Sequence, residues 1–237
     1  MFCMRSRRWF FDCDGVLLDS NGVKTEAFRR VAMRYGPDVA ADVVDHHLRT
    51  GGMSRFAKFD RLFREVLRRE PKAGELEALL DDFAAASREG LLHSSTDPAA
   101  ASLITSIRHR AEVHVVSGGA ENEVSWALEQ HGLAALFDGI HGSPRTKREI
   151  LGALSASPLA RPGVFIGDSR LDMEVAAESG LMRVFVSHWS EFSEWRAFVD
   201  EHRDVLVVHS LGELYGIVRG ETDRTLSYEQ RWVLSLR

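Results

Sequence analysis

The chain has 237 residues, 44% of them apolar and 27% charged, with a formal net charge of −5. That composition suits a folded globular protein with one large core, or one core and a smaller module; it gives no reason to expect a nucleic-acid partner, and no apolar run approaches the length that spans a bilayer. Cys3 and Cys13 are the only cysteines and Asp12 and Asp14 interrupt the apolar stretch after Arg8, so neither a disulfide framework nor a signal peptide is expected, and a reducing cytoplasm is the default location.

Trp9, Phe10 and Phe11 form an apolar strand that runs into Asp12-Cys13-Asp14-Gly15. Side chains two apart on a strand share a face, so Asp12 and Asp14 aim together beyond its end. Two carboxylates that close repel unless a cation or a shared proton intervenes, and a hard divalent ion with oxygen ligands answers that need. Cys13 points the other way and reads as core packing. Residues 23–36 carry apolar positions at helical period and stop at Gly36-Pro37. A second helix surrounds residues 43–48 and ends at Gly51-Gly52. A third, over 54–69, has Ser54 as N-cap and a stripe of Phe56, Phe59, Leu62, Phe63, Val66 and Leu67. Pro71 breaks the pattern, and Leu76, Leu79, Leu80 and Phe83 carry a fourth helix towards Gly90. With no strand among them, residues 17–93 read as an all-helical module inserted after the first strand.

From Asp97 onwards the character changes. Short apolar strands at 113–116, 137–141, 163–167, 182–186 and 205–208 alternate with helices at 98–107, 121–131, 145–155, 169–179, 194–201 and 211–218. This alternation predicts an α/β architecture, a Rossmann-like parallel sheet with helices on both faces, built from residues 1–16 and 94–237. Such sheets bind ligands at the carboxyl ends of their strands. The polar tail, 221–237, ends in Tyr228, Trp232, Val233 and Leu234 and is expected to dock back on the domain or meet a partner.

Polar chemistry gathers at those strand ends. The first brings Asp12 and Asp14, the second Ser117 with the amides of Gly118 and Gly119, a later loop-to-helix junction Lys147, and the strand at 163–167 Asp168, with Asp172 four residues on. On one rim, these carboxylates, a hydroxyl, exposed amides and a lysine suit a phosphoryl group held beside a magnesium ion, with a carboxylate as nucleophile.

The strings resemble the four motifs of the haloacid dehalogenase superfamily. Asp12-Cys13-Asp14-Gly15-Val16 is similar to its first motif, Val115-Val116-Ser117-Gly118 to its second, Lys147 in Ser143-Pro144-Arg145-Thr146-Lys147 to its third, and Gly167-Asp168-Ser169-Arg170-Leu171-Asp172 to its fourth. Their order, each after an apolar strand, and the helical insert fit the branch with a C1-type cap that holds phosphoglycolate phosphatase and β-phosphoglucomutase. The resemblance implies a magnesium-dependent phosphatase acting on a small phosphorylated metabolite such as a sugar or polyol phosphate. It implies Asp12 as nucleophile, Asp14 as general acid and base, and Asp12, the Asp14 carbonyl and Asp168 as magnesium ligands. Ser117, Gly118 and Lys147 bind the phosphoryl oxygens, and Asp172 supports Lys147 or the metal.

The cap turn Gly51-Gly52-Met53-Ser54-Arg55 resembles the Gly-x-Ser-Arg turn of sugar phosphomutases, which implies that Arg55, with Lys58 one turn on, recognises substrate. A phosphomutase is the nearest rival reading, although its fourth motif tends to carry adjacent acids. Asp14 argues against a dehalogenase. The absence of a well-placed Schiff-base lysine argues against a phosphonatase, with Lys24 and Lys58 keeping it open. A non-catalytic protein of this fold would lack a nucleophile or acid, and neither is missing. His46 and His47 are expected at the cap surface, Lys24 in a structural salt bridge, and the protein as a monomer without nucleic-acid or membrane partners.

Overall fold

The structure is a computed structural model that describes residues 7–155 and 163–221. Among them six strands form one parallel sheet: β1 (Arg7–Phe11), β2 (Ala111–Ala120), β3 (Gly139–Ser143), β4 (Gly163–Gly167), β5 (Met182–Val186) and β6 (Leu206–Val208), in the spatial order β3-β2-β1-β4-β5-β6. The apolar run of β1 explains its central place. Trp9 and Phe11 enter the core on one face with Val113, Val115, Val164 and Ile166, while Phe10 enters the other with Phe165, Ile150 and Val175. A strand buried on both faces needs such a run instead of an alternation. Helices α5 (Ala100–Ile107), α6 (Glu121–Gln130) and α10 (Leu211–Arg219) contribute to the first face, and α7 (Lys147–Ser155) and α8 (Arg170–Glu178) to the second. Helix α9 (Trp195–Glu201) lies between β5 and β6 in the chain. The strand order reverses at β1, which pairs with β2 on one side and β4 on the other. A crevice opens at the carboxyl ends of strands at such a switch point.

Between β1 and β2 the chain forms α1 (Asn21–Ala32), α2 (Pro37–Arg49), α3 (Arg55–Arg61) and α4 (Glu75–His93). They have their own apolar cluster, with Phe28, Val31, Phe59, Leu62, Phe63, Leu79 and Phe83 at its centre. Pro37 opens α2, where its missing N–H costs nothing, and the Ser54 hydroxyl accepts the Ala57 N–H at 3.4 Å to cap α3. The chain enters and leaves this module along paired segments: the Asp19 N–H donates to the Ser95 carbonyl at 2.9 Å and the Asp97 N–H to the Leu17 carbonyl at 3.1 Å.

Some expected boundaries shift. The third helix does not continue to 69: it widens into a π-helical turn at Leu62–Val66, and Arg68 at φ 51° ends it. The second strand runs on through Ser117, Gly118 and Gly119 to Ala120, because Ser143 pairs with Ala120 and the Ser143 hydroxyl donates to the Gly118 carbonyl at 2.5 Å. Pairing overrides the poor strand preference of glycine there. The third strand lies two residues later than expected, since the Asp138 carboxylate accepts the Val113 N–H at 2.8 Å and so occupies the position before it. The helix after Asp97-Pro98 starts at Ala100, with Asp97 accepting the Ala99 N–H at 2.8 Å and the Leu211 N–H at 3.0 Å. The tail beyond residue 221, with Trp232, lies outside the described residues, as does Cys3.

Candidate active site

The Asp12 N–H donates to the Ile166 carbonyl at 2.9 Å, so the strand pairing itself fixes the first aspartate at the crevice. Gly15 then turns the chain at φ 77°; a Cβ there would lie 2.1 Å from Asp168 Oδ2 and 2.4 Å from Asn21 Nδ2. Only glycine accepts both that backbone and that approach. Lys147, the first residue of α7, reaches Asp12 Oδ2 at 2.8 Å and Asp172 Oδ1 at 2.6 Å. Asp172 is held in turn by the capping box of α8: its Oδ2 accepts the Ser169 N–H at 3.1 Å and hydroxyl at 2.6 Å, and the Ser169 hydroxyl accepts the Asp172 N–H. Asp172 therefore anchors Lys147. Ser117 is buried at the end of β2, its hydroxyl accepting the Gly119 N–H at 3.0 Å. Asp14 is half-buried and its Oδ1 accepts the Ser20 hydroxyl at 2.5 Å, with Lys24 Nζ 3.9 Å away.

Burial dominates the electrostatics of this floor. It pushes the Asp12 carboxyl up to about 7, with the Lys147 charge opposing the rise and Asp172 adding to it. Burial likewise lifts Asp168 well above the ordinary carboxyl range, helped by Asp12 and Asp172 and opposed by the hydrogen bond from Asn21 Nδ2 at 2.7 Å. Burial works against the Lys147 ammonium, but Asp12 and Asp172 outweigh it and hold its pKa above the usual lysine value. Cys13 is buried in the core, where desolvation first and the neighbouring aspartates second raise its thiol well above the usual range. Oxygens of Asp12, Asp168 and Asp172 approach within 4.8 Å of one another. Lys147 and Ser169 engage both oxygens of Asp172, which does not line the cleft, whereas Asp12 and Asp168 do. Hard carboxylate oxygens whose ionisation burial resists fit a divalent ion of the magnesium or calcium kind.

A cleft enclosing about 750 Å³ of space, part of it open to solvent, connects this floor to the helical module. Asp12, Asp14, Asp168 and the Gly118-Gly119 backbone line its lower part, and Phe28, His47, Lys58 and Phe83 line its roof. The turn between α2 and α3 seats on the floor so closely that a Cβ on Gly118 would lie 2.1 Å from the Gly52 carbonyl oxygen. The sequence paired Arg55 with substrate; the structure pairs it with the protein. Its guanidinium makes a two-pronged salt bridge to Glu123 on α6, at 2.6 and 2.5 Å, and lies over the Phe83 ring at 4.4 Å. Although Arg55 borders the cleft, its charge is already matched. Lys58 is buried, with Nζ 2.6 Å from His47 Nδ1 and 5.3 Å from the centre of the Phe28 ring. Desolvation lowers Lys58 to about 7, with Asp14 and Glu191 opposing, and desolvation with the Lys58 and Lys24 charges lowers His47 to about 2. His47 is thus a cleft residue instead of a surface one.

Four participants escape sequence reasoning: Asn21, Glu123, His47 and Glu191. Asn21 ties Asp168 to the Trp189 carbonyl at 2.7 and 2.9 Å, and Glu191 accepts the Thr25 hydroxyl at 2.8 Å across the cleft. Their signal is tertiary, because each acts on a residue of another element. Asn21 alone had a local hint, being polar and directly after the first motif.

A family model described as haloacid dehalogenase-like hydrolase matches residues 9–180. None of the curated proteins matches the chain. Among solved structures, the chain resembles β-phosphoglucomutase from Clostridium difficile (19% identity, 90% of this chain and 96% of that one, TM-score 0.69). It also resembles a predicted phosphoglycolate phosphatase from Haemophilus somnus (16%, 94% and 100%, 0.64) and the magnesium-bound HAD-hydrolase YfnB from Bacillus subtilis (18%, 91% and 99%, 0.60). At such identities the structural likeness establishes the fold. The family match, which covers the whole run from the first strand to the helix after Asp168, establishes kinship: the chain belongs to the haloacid dehalogenase-like hydrolases.

Proposed function

We propose that the protein is a phosphatase that hydrolyses a small phosphorylated metabolite through an aspartyl phosphate on Asp12. The observation that carries this reading is the buried chain Asp12–Lys147–Asp172 at the carboxyl end of the central strand, opening into the cleft beneath the helical module. Asp12 attacks phosphorus and the ester P–O bond breaks, while Asp14 gives its proton to the leaving oxygen. Asp14 then takes a proton from the water that attacks the aspartyl phosphate, which frees Asp12 and inorganic phosphate. Lys147, held in place by Asp172, and the Ser117 hydroxyl with the Gly118 amide offset charge on the phosphoryl oxygens. Asp12, Asp168 and the Asp14 carbonyl would hold magnesium, which when bound supplies further neutralisation of the phosphoryl charge. Residues 17–93 serve as a cap that excludes water, with the paired segments around Leu17–Asp19 and Ser95–Asp97 as its hinge. A cytoplasmic, monomeric enzyme without nucleic-acid or membrane partners belongs to the same reading; among the described residues no helix is long and apolar enough to cross a membrane.

Phosphate release from an aryl phosphate should require magnesium and fall by several orders of magnitude in Asp12→Asn. Turnover that survives this substitution would remove the aspartyl-phosphate mechanism.

A further inference from the structure

Four cationic side chains line the cleft: Lys24, Arg49, Arg55 and Lys58. Three are matched by carboxylates: Lys24 lies 3.9 Å from Asp14, Arg49 2.7 Å from Asp45 and Arg55 2.5 Å from Glu123. Lys58 has no carboxylate within 4.0 Å among the described residues, although it is only 3% exposed. Its hydrogen-bond partner is the neutral His47 ring, which packs tilted against Phe28 with 4.6 Å between centroids and so fixes where the amine sits. The acid across the cleft, Glu191, is held by Thr25. A buried ammonium without a counter-charge is unfavourable, and an anion delivered to it in a water-poor, aromatic setting gains more than it would in solvent. Burial lowers the lysine, with Asp14 and Glu191 opposing, so an anion placed beside it would favour its charged form.

We propose that Lys58, positioned by His47, binds a second acidic group of the substrate, a carboxylate or a phosphate, so that the natural substrate is a phosphate ester with an anionic tail. This rests on the phosphatase reading above and narrows its substrate class. The phosphoryl group meets Lys147 at the floor, the tail meets Lys58 at the roof, and the carbon skeleton between them runs past Phe28 and Phe83. The tail is assigned to Lys58 and not to Arg55, because Glu123 already supplies Arg55 with a counter-charge through both terminal nitrogens.

The test compares kcat/KM for four esters at saturating magnesium: an aryl phosphate, a neutral hexose phosphate, a phosphorylated sugar acid and a sugar bisphosphate. The wild-type enzyme should prefer an acid-tailed ester over the neutral hexose phosphate by tenfold or more, and whichever of the two wins identifies the tail as carboxylate or phosphate. In Lys58→Met that preference ratio should collapse towards one, whatever happens to the overall rate, and Lys58→Arg should retain part of it. A merely structural role would lower all four esters in proportion and leave the ratio intact, which would overturn the proposal. So would a wild-type enzyme with no preference for an acid tail while it turns over the aryl phosphate. If no ester is turned over, the phosphatase reading falls and this one falls with it.

Discussion

Asp12 and Asp168 bring two buried carboxylates to one edge of the sheet, and a lysine alone does not satisfy both. Lys147 bonds Asp12 and Asp172, which leaves Asp168 with an amide hydrogen from Asn21. The stability of the metal-free protein should record this. Burial lifts the Asp12 carboxyl from its ordinary 3.8 to about 7, and moves Asp168 in the same direction. Between those values the folded chain binds more protons than the unfolded one, so stability falls as pH rises through the window. A divalent ion on the ionised pair reverses that loss. Thermal melts should therefore show a magnesium-induced gain in Tm that is small at pH 5 and larger, on the order of 5 °C, at pH 7.5. A gain that is equal at both pH values would detach magnesium from these carboxylates. At this scale the sequence was most readable where chemistry is local. Asp12, Asp14, Asp168 and Asp172 sit within short strings whose spacing carries their placement, and Lys147 stands at a loop-to-helix junction. The Arg55–Glu123 pair is not legible in the sequence, because Glu123 lies 68 residues away on another helix and no spacing links the two.

Elements are legible when burial and local preference agree. The strands at 163–167 and 182–186 match their expected bounds to the residue, because the short apolar runs Val164–Ile166 and Val184–Val186 lie between turn residues. The second strand runs four residues past its expected carboxyl end, since Ser117 to Ala120 become strand only through pairing with Ser143. That extension matters. It carries Gly118 up to the turn at Gly52, where a single methyl group would overlap the Gly52 carbonyl oxygen at 2.1 Å. The oxygen belongs to the Gly52 backbone and the methyl position is set by the Gly118 backbone, so neither can swing aside. Gly118→Ala should hold the helical module away from the floor and lower kcat/KM by about a hundredfold through misplacement of the reacting groups. The sheet should stay intact, as judged by an unchanged far-ultraviolet circular dichroism spectrum. Activity close to wild type would mean that the contact between Gly118 and Gly52 is dispensable for catalysis.

At the scale of the whole molecule, several contacts join the two cores: besides Asn21 with Asp168, Thr25 with Glu191 and the turn at Gly52 with Gly118, two links stand out. Backbone hydrogen bonds pair the connecting segments, Leu17 with Asp97 and Asp19 with Ser95, and at the opposite side of the cleft the Arg55–Glu123 salt bridge spans from α3 to α6. In the proposed cap motion the first link, which lies where the chain crosses, would persist on opening, whereas the second would break and so contribute to the closing free energy. Arg55 is 5% exposed and lies over Phe83, whereas Glu123 is at the rim with 17% exposure. Removing the carboxylate leaves a buried guanidinium without its counter-charge, and with Glu123 discounted for its exposure the cost to the closed arrangement is about 2 kcal/mol. Opening in Glu123→Gln should then be about thirtyfold more frequent. Hydrogen exchange should show it as faster exchange of backbone amides in residues 51–57 and 117–123, which the contact between Gly52 and Gly118 covers. The amides of β1 and β4, deep in the sheet, should keep their wild-type rates. Faster exchange everywhere would make the pair a general stabiliser, and no change at 51–57 would show that the cap closes without it.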